Sequence, residues 1–307
     1  MATDVRTEIV VEPVGNVTAV LGEGPYWIPE DSCLLWVDIP AGLLHRTEVP
    51  SGQTITSEVG DISAVFPAHG GGMLLAGGSR LTLRGFVPGQ AGLSGDWTSQ
   101  PIAEVPARPG IRFNDASVDP AGRVWVGSMH IDETEPCGEL YRLDPGRVLT
   151  TILTGVTVSN GLGWSPDGSR LYYADSPLRR IDVFDYDTAT GGLASRGVFA
   201  DLTSVEGFPD GLTVDVDGYV WVAMWDGGVL RRFSPWGELD AVVPVPVARP
   251  TSVAFGGPHM GELYVTTASI NLTPAQRAAQ PLAGRLLRLR PGPVGLPSTT
   301  TRALIPS

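Results

Sequence analysis

The sequence predicts an all-β protein, a six-bladed β-propeller with four antiparallel strands in each blade. Two short apolar runs joined by an Asp-Gly turn occupy residues 158–175, and related segments begin at Asn114 and Asp210. Such paired runs indicate β-hairpins. The second run of each copy carries a large apolar residue at intervals of roughly 40 to 50 residues, the length of one propeller blade. With 39 Gly and 27 Pro, the composition also favours short strands and turns over long helices.

Six such units follow one another along the chain. The large residues that mark their second strands are Trp36, Met73, Trp125, Tyr172, Trp221 and Tyr264. Aromatic side chains that recur at equivalent strand positions are expected to pack in the core. The corresponding blades are predicted at residues 23–58, 62–105, 116–154, 161–200, 211–244 and 252–290.

The two ends of the chain are predicted to close the ring. Blade six lacks one strand, and residues 8–14 form a β-like run without a partner. Pairing the two would hide two open sheet edges. The Gly- and Pro-rich residues 87–95 are predicted to form a loop within blade two, and residues 274–283 a short helix on a loop. We therefore treat residues 1–307 as a single propeller domain.

Composition excludes several classes of function. The net charge is −12 and no Lys/Arg cluster exists, which argues against nucleic-acid binding. No run of about 18 apolar residues predicts a membrane span. The N-terminus lacks a basic region followed by an apolar stretch, so a cytoplasmic protein is expected, as a monomer or small homo-oligomer. Cys33 and Cys137 match no metal spacing and are predicted to be reduced, buried thiols.

Oxygen-bearing residues are predicted to converge at the mouth of the central channel. In a propeller the first strand of every blade lines this channel, and the residue just before that strand lies at its mouth. Around the ring this position holds Glu23, Asp61, Asn114, Asn160, Asp210 and Thr251. Asn and Asp also favour turns before strands, which is the simpler explanation for any one of them. Together, hard oxygen ligands without Cys or His favour Ca²⁺, Mg²⁺ or Mn²⁺, although Zn²⁺ also accepts carboxylates.

Four motifs resemble a known family. They cover nearly the whole chain in order, and their combination is specific: LGEGPYW at residues 21–27, RFND at 112–115, NGLGWSPDG at 160–168 and FPDGL at 208–212. The chain resembles the SMP-30/gluconolactonase/regucalcin-like family. Members of that family are six-bladed propellers that bind one divalent metal ion in the channel and commonly hydrolyse sugar lactones.

The resemblance implies a role for five residues. Glu23, Asn160 and Asp210 match the metal ligands, and Asp210 also matches the proposed proton acceptor. Arg112 and Asn114 match substrate-binding positions. The expected activity is therefore a metal-dependent lactonase that opens a small lactone ring, such as gluconolactone, with a metal-activated water.

Two departures from the family pattern leave the substrate open. Ala116 stands where members often have Gly, and residues 130–135 differ from the segment that holds a sugar hydroxyl in some members. Asp132 is nearest that substrate-binding position, with Glu133 as the alternative. Non-sugar lactones, phosphotriesters and a non-catalytic calcium-binding propeller therefore stay open. Trp225 could line either a loop pocket or a packing seam.

Overall fold

A computed structural model describes residues 9–86 and 97–302 and shows the predicted six-bladed β-propeller. Each blade is one sheet of four strands, and all strand pairs within the six sheets are antiparallel. The predicted loop at residues 87–95 lies outside the described residues.

The first three blades each use four consecutive strands, ordered from the channel outwards. Blade one contains β2 (Gly22–Ile28), β3 (Cys33–Asp38), β4 (Leu43–Glu48) and β5 (Thr54–Glu58). Blade two contains β6 (Ala64–Pro67), β7 (Met73–Gly77), β8 (Arg80–Phe86) and β9 (Trp97–Glu104). Blade three contains β10 (Ile111–Val118), β11 (Val124–His130), β12 (Gly138–Asp144) and β13 (Val148–Val156).

Blades four and five follow the same order, and blade six includes the first strand of the chain. Blade four contains β14 (Ser159–Trp164), β15 (Arg170–Asp175), β16 (Arg180–Asp187) and β17 (Gly192–Asp201). Blade five contains β18 (Phe208–Val214), β19 (Val220–Trp225), β20 (Val229–Phe233) and β21 (Leu239–Pro244). Blade six contains β22 (Pro250–Gly256), β23 (Glu262–Thr267), β24 (Leu286–Leu289) and β1 (Val11–Val14).

Strand β1 closes the ring as predicted. It pairs with β24 in antiparallel register, from Val11 opposite Leu289 to Val14 opposite Leu286. The pairing covers the outer edge of β24, which would otherwise expose a row of unpaired backbone groups. The predicted helix is shorter than expected: α1 spans Pro274–Ala279, and a capping box between Thr273 and Gln276 starts it.

The hydrophobic core of the described residues is divided among the seams between blades. Each of the six buried clusters joins two neighbouring blades, so every seam around the ring is filled. The residues predicted to mark the second strands are all buried in these seams. Trp125 and Trp221 also donate their indole N–H groups to the buried carboxylates of Asp119 and Asp215. The predicted core role of these tryptophans is confirmed.

Both cysteines are free thiols. Cys33 is buried as predicted, but Cys137 is only half-buried, because it lies on the loop before β12 rather than in a blade seam. Within the described part of the chain, every helix is too short or too polar to cross a lipid bilayer.

Candidate functional site

One end of the central channel holds a cavity of about 310 Å³. Residues from blades one, three, four and five and from their connecting loops line it. These residues are Leu21, Glu23, Arg112, Asn114, Met129, Glu133, Val158, Asn160, Ser176, Pro177, Phe208, Asp210 and Trp225. All three predicted metal ligands and both residues matched to substrate binding therefore face one space.

Irregularities in the inner strands position these side chains. We expected the site residues just before the first strand of each blade, but Glu23, Asn114, Asn160 and Asp210 lie within β2, β10, β14 and β18. At Asn114, Asn160 and Asp210 the pairing register with the second strand shifts, as at a β-bulge, and in β2 the shift comes directly after Glu23, which itself pairs with Val37. A bulge leaves a residue out of the regular alternation of a strand and re-aims its side chain. The irregular strands therefore direct these side chains towards the channel, a role that the sequence predicted for loop residues.

Two of the six predicted channel residues do not line this cavity. Asp61 is exposed and precedes β6, an inner strand whose pairing with β7 has no register shift. Thr251 is fully buried and donates its hydroxyl to the carbonyl oxygen of Gly22, 2.6 Å away. Its hydroxyl joins blade six to blade one instead of facing the channel. The expected convergence is therefore wrong for these two positions.

A chain of hydrogen bonds crosses three blades at the floor of the cavity. Arg112 Nη1 donates to Asn114 Oδ1 at 2.8 Å, and Asn114 Nδ2 donates to Asn160 Oδ1 at 2.8 Å. Asn160 Nδ2 donates to Ser176 Oγ at 2.7 Å, which in turn donates to the carbonyl oxygen of Pro209 at 2.6 Å. Because each bond uses a defined end of an amide, the chain fixes the orientation of both asparagines.

The site gathers carboxyl groups in a poorly solvated channel. Desolvation inside the channel, with added repulsion from Asp115, raises the pKa of Glu23 to about 8. Desolvation likewise raises the pKa of Asp115 to about 7. Burial, followed by repulsion from Glu23 and Asp115, holds the pKa of Asp210 well above its ordinary value. Raised carboxyl pKa values of this origin are typical of functional sites.

The donor set fits a hard divalent cation. Within residues 9–86 and 97–302, no three His, Cys, Asp or Glu side chains are grouped to hold a metal ion by themselves. The oxygen of Asn160 would have to complete a set with the carboxylates of Glu23 and Asp210. Carboxylate and amide oxygens suit Ca²⁺, Mg²⁺ or Mn²⁺. A cation there would also offset the repulsion that, after desolvation, raises the pKa values of Glu23 and Asp210.

The turn after β11 places Glu133, not Asp132, at the cavity. Both residues are exposed, but only Glu133 lines the cavity, and the carboxylate of Asp132 lies 3.5 Å from Nδ1 of His130. The N–H of Glu133 donates to the carbonyl oxygen of His130, and the backbone of Glu133 takes a left-handed conformation with φ of 59°. This turn brings Glu133 into the lining, where its charge acts on Arg112 and Asp210. Which of the two acidic residues faces the cavity depends on this turn and not on distance along the chain.

Among the lining residues that the sequence did not identify as site residues, three carry polar or aromatic side chains. Ser176 follows β15 and has no motif that distinguishes it from an ordinary turn residue. Phe208 belongs to the motif around Asp210, but its residue type alone does not indicate a site residue. Trp225, which was predicted to line either a loop pocket or a packing seam, lines the cavity. Its position at the end of a second strand was the available signal.

Comparison with known proteins finds relatives that span most of the chain. The family model described as SMP-30/Gluconolactonase/LRE-like region matches residues 21–269. A pentonolactonase of Haloferax volcanii is 37% identical over 260 residues, which cover 85% of this chain and 86% of the relative. Regucalcin of Danio rerio is 36% identical over 289 residues and covers 92% and 93% of the two chains.

A solved structure agrees with the same assignment. The structure of a calcium-binding protein, regucalcin, from Agrobacterium tumefaciens superposes with a TM-score of 0.89 at 27% sequence identity. The match covers 96% of this chain and 98% of that chain. The propeller and its order of blades are therefore common to both proteins.

Proposed function

Because the chain belongs to the SMP-30/gluconolactonase/LRE-like family, we propose that it is a metal-dependent lactonase that acts in the cavity around Glu23, Asn160 and Asp210. The similarity to a pentonolactonase supports a small lactone as substrate. The proposal depends on one observation above all. Two buried carboxyl groups and an amide oxygen, from three different blades, line one cavity beside an arginine.

Asp210 is the proposed proton acceptor. A divalent cation held by Glu23, Asn160 and Asp210 would polarise the lactone carbonyl and lower the pKa of a water molecule. Asp210 is only 5% exposed, and a cation bound beside it would favour the ionised carboxylate that this role requires. In the proposed reaction its carboxylate accepts the proton of the water that attacks the carbonyl carbon.

Arg112 and Asn114 are proposed to orient the substrate. The Nη1 group of Arg112 is held by the carbonyl oxygen of Phe113 and by Asn114 Oδ1, which fixes the plane of the guanidinium. In the proposed complex its other N–H groups donate to substrate oxygens, including the oxyanion formed on attack. We propose that Glu133, and not Asp132, accepts a hydrogen bond from a ring hydroxyl when the substrate has one.

The test is hydrolysis of a lactone panel by Asp210→Asn and by a matched control, Asp217→Asn. Asp217 lies in the hairpin turn of the same blade and is exposed. We expect Asp210→Asn to lower kcat by at least about a hundredfold at saturating Mn²⁺, and the control to keep wild-type activity. A chelator should abolish wild-type activity, and added metal should restore it. Full activity of Asp210→Asn, or of chelated wild type, would contradict the proposal.

A calcium-binding protein without catalysis is the second candidate. It is favoured by the close superposition on a protein described as calcium-binding. Calorimetric titration with Ca²⁺ separates the two. Binding of Ca²⁺ combined with no hydrolysis of any lactone under any metal would support this candidate over the lactonase.

A further inference from the structure

Two aromatic side chains form one wall of the cavity. Phe208 opens β18 and Trp225 ends β19, and the two residues are paired directly across these antiparallel strands. Phe208 is 36% exposed, although it is a large apolar residue, and Trp225 is half-buried. Both line the cavity that contains the candidate catalytic residues. We call Phe208 and Trp225 the aromatic wall.

An arginine covers one face of each ring. The Cζ atom of Arg179 lies 4.7 Å from the ring centroid of Phe208, and that of Arg249 lies 4.9 Å from the centroid of Trp225. Arg249 is itself held by the carboxylate of Asp226, 2.6 Å away. Cation–π contacts of this kind hold a ring in place. Because one face of each ring is covered, only the other face and the edges can contact a ligand.

The backbone around the aromatic wall leaves little room for it to move. Gly207, just before Phe208, has a φ of 84°, a conformation that residues with a side chain rarely adopt. A Cβ atom at Gly207 would lie 2.6 Å from the carbonyl oxygen of Trp225. The two strand ends are therefore packed against each other without a gap, and the wall is a preformed surface.

The guanidinium, amide and hydroxyl groups of the cavity lining are largely engaged with one another. Arg112, Asn114, Asn160 and Ser176 form the hydrogen-bond chain described above. Besides the carboxyl groups of Glu23, Glu133 and Asp210, the remaining lining residues are apolar: Leu21, Met129, Val158 and Pro177. A substrate hydroxyl placed against the wall or these four apolar residues, away from Glu133, would lose water without gaining a partner, which is unfavourable. An alkyl or aryl substituent in the same place would lose nothing.

We propose that Phe208 and Trp225 determine substrate specificity and that they select lactones with an apolar substituent on the ring. This inference rests on the proposed lactonase function and names its substrate class. A γ-lactone with an alkyl chain would place its carbonyl at the cation and its chain on the aromatic wall. An aldonolactone, whose substituents are hydroxyl and hydroxymethyl groups, would leave the wall unused.

The experiment compares kcat/KM for γ-valerolactone, γ-octalactone and xylono-1,4-lactone with the Mn²⁺-loaded protein. We expect kcat/KM to rise from the methyl to the butyl substituent and to exceed that for the aldonolactone. Phe208→Ala and Trp225→Ala should each shift the octalactone-to-xylonolactone ratio about tenfold towards xylonolactone, the scale of discrimination by an apolar pocket. The matched control is Trp236→Ala, at a residue that is 79% exposed and absent from this cavity, and it should leave the ratio unchanged.

The failure of this inference is distinct from the failure of the proposed function. A protein that hydrolyses no lactone overturns both. A protein that prefers xylonolactone, or whose substrate ratio is unaffected by either wall variant, overturns only the specificity inference. If Trp225→Ala does not fold, Phe208→Ala decides the question alone, because its partly exposed side chain is not needed to fill a core cluster.

Discussion

Ser176 determines which end of the Asn160 amide faces the candidate metal site. Its hydroxyl accepts from Asn160 Nδ2 and donates to the carbonyl oxygen of Pro209, so the amide nitrogen points away and Oδ1 stays on the side of Asn114. A hydroxyl that donates to a carbonyl has only its lone pairs left for Asn160, and this excludes the reversed amide. Ser176 is therefore a positioning residue that needs no contact with the reacting atoms.

Removing this hydroxyl should weaken metal binding. We expect Ser176→Ala to raise the Kd for Mn²⁺ by about tenfold or more, the usual effect of losing a group that orients a ligand. Titration calorimetry measures it directly, independently of catalysis. Ser165→Ala, which removes a hairpin-turn hydroxyl of the same blade, is the matched control and should bind Mn²⁺ as wild type does. Equal affinity of the two variants would contradict this role for Ser176.

His45 makes stability depend on pH far from the site. Its imidazole packs on Trp36 with ring centroids 4.2 Å apart, and burial lowers its pKa to about 4 from the ordinary 6.5. The unfolded chain therefore binds a proton between pH 6.5 and 4 that the folded protein does not bind. The free energy of unfolding is therefore not affected by this titration above pH 6.5. It falls as the pH is lowered from 6.5 to 4, by up to about 1.4 kcal/mol per pH unit.

His45→Phe should remove this pH dependence. Relative to the variant, the wild type is expected to lose free energy of unfolding progressively from pH 6.5 to pH 4, as measured by urea denaturation. The same substitution at the exposed residue His69 should leave the acid loss of stability in place. Parallel pH profiles for wild type and His45→Phe would show that His45 does not titrate as the structure indicates.

At the scale of the element, the inner strands of blades four and five approach each other so closely beside Asn160 and Asp210 that only a glycine fits between them. Gly161 follows Asn160 in β14, and a Cβ atom there would lie 2.5 Å from the carbonyl oxygen of Asp210. The inner strands of blades four and five approach this closely at the site itself. The same glycine therefore sets the separation of Asn160 and Asp210.

Gly161→Ala should force these two strands apart. We expect the free energy of unfolding to fall by about 1–3 kcal/mol, as for other overpacked sites. Lactonase activity should fall by about a hundredfold, because a displacement of the order of 1 Å between reacting groups has that effect. Gly197→Ala, in the outer strand of the same blade, is the control, since its added Cβ would meet only Val183 at 3.9 Å. Activity of Gly161→Ala equal to that of the control would show that this close approach does not position the site.

The elements also show what the sequence could and could not reveal. Hairpin turns and apolar runs are local signals, so six blades and the closing strand could be predicted. Bulges are not local signals of this kind, because the extra residue is defined by its pairing with a neighbouring strand. For that reason Asp61 was expected at the channel and is exposed. Glu133 and Ser176 required a turn conformation and a contact between blades, neither of which the order of residues specifies.

At the scale of the whole molecule, closure of the ring joins residues from the two ends of the chain. Val14 of β1 is 7% exposed and belongs to the cluster between blades six and one, with Trp27, Trp36 and Tyr264. Blade one supplies Glu23 to the candidate site from β2, and β2 contacts the inner strand of blade six. The N-terminal strand therefore supports both the fold and the place of one proposed metal ligand.

Val14→Asp should open this seam. An unpaired carboxylate in an apolar cluster is strongly unfavourable, so the free energy of unfolding is expected to fall by about 3 kcal/mol or more. For a chain of this size, Tm should fall by roughly 5–10 °C. Val10→Asp, at a position that is 72% exposed and four residues away, provides the matched control and should melt as wild type does. If both variants melt at the wild-type temperature, the pairing of β1 with β24 contributes little to stability, and the ring is held by its other seams.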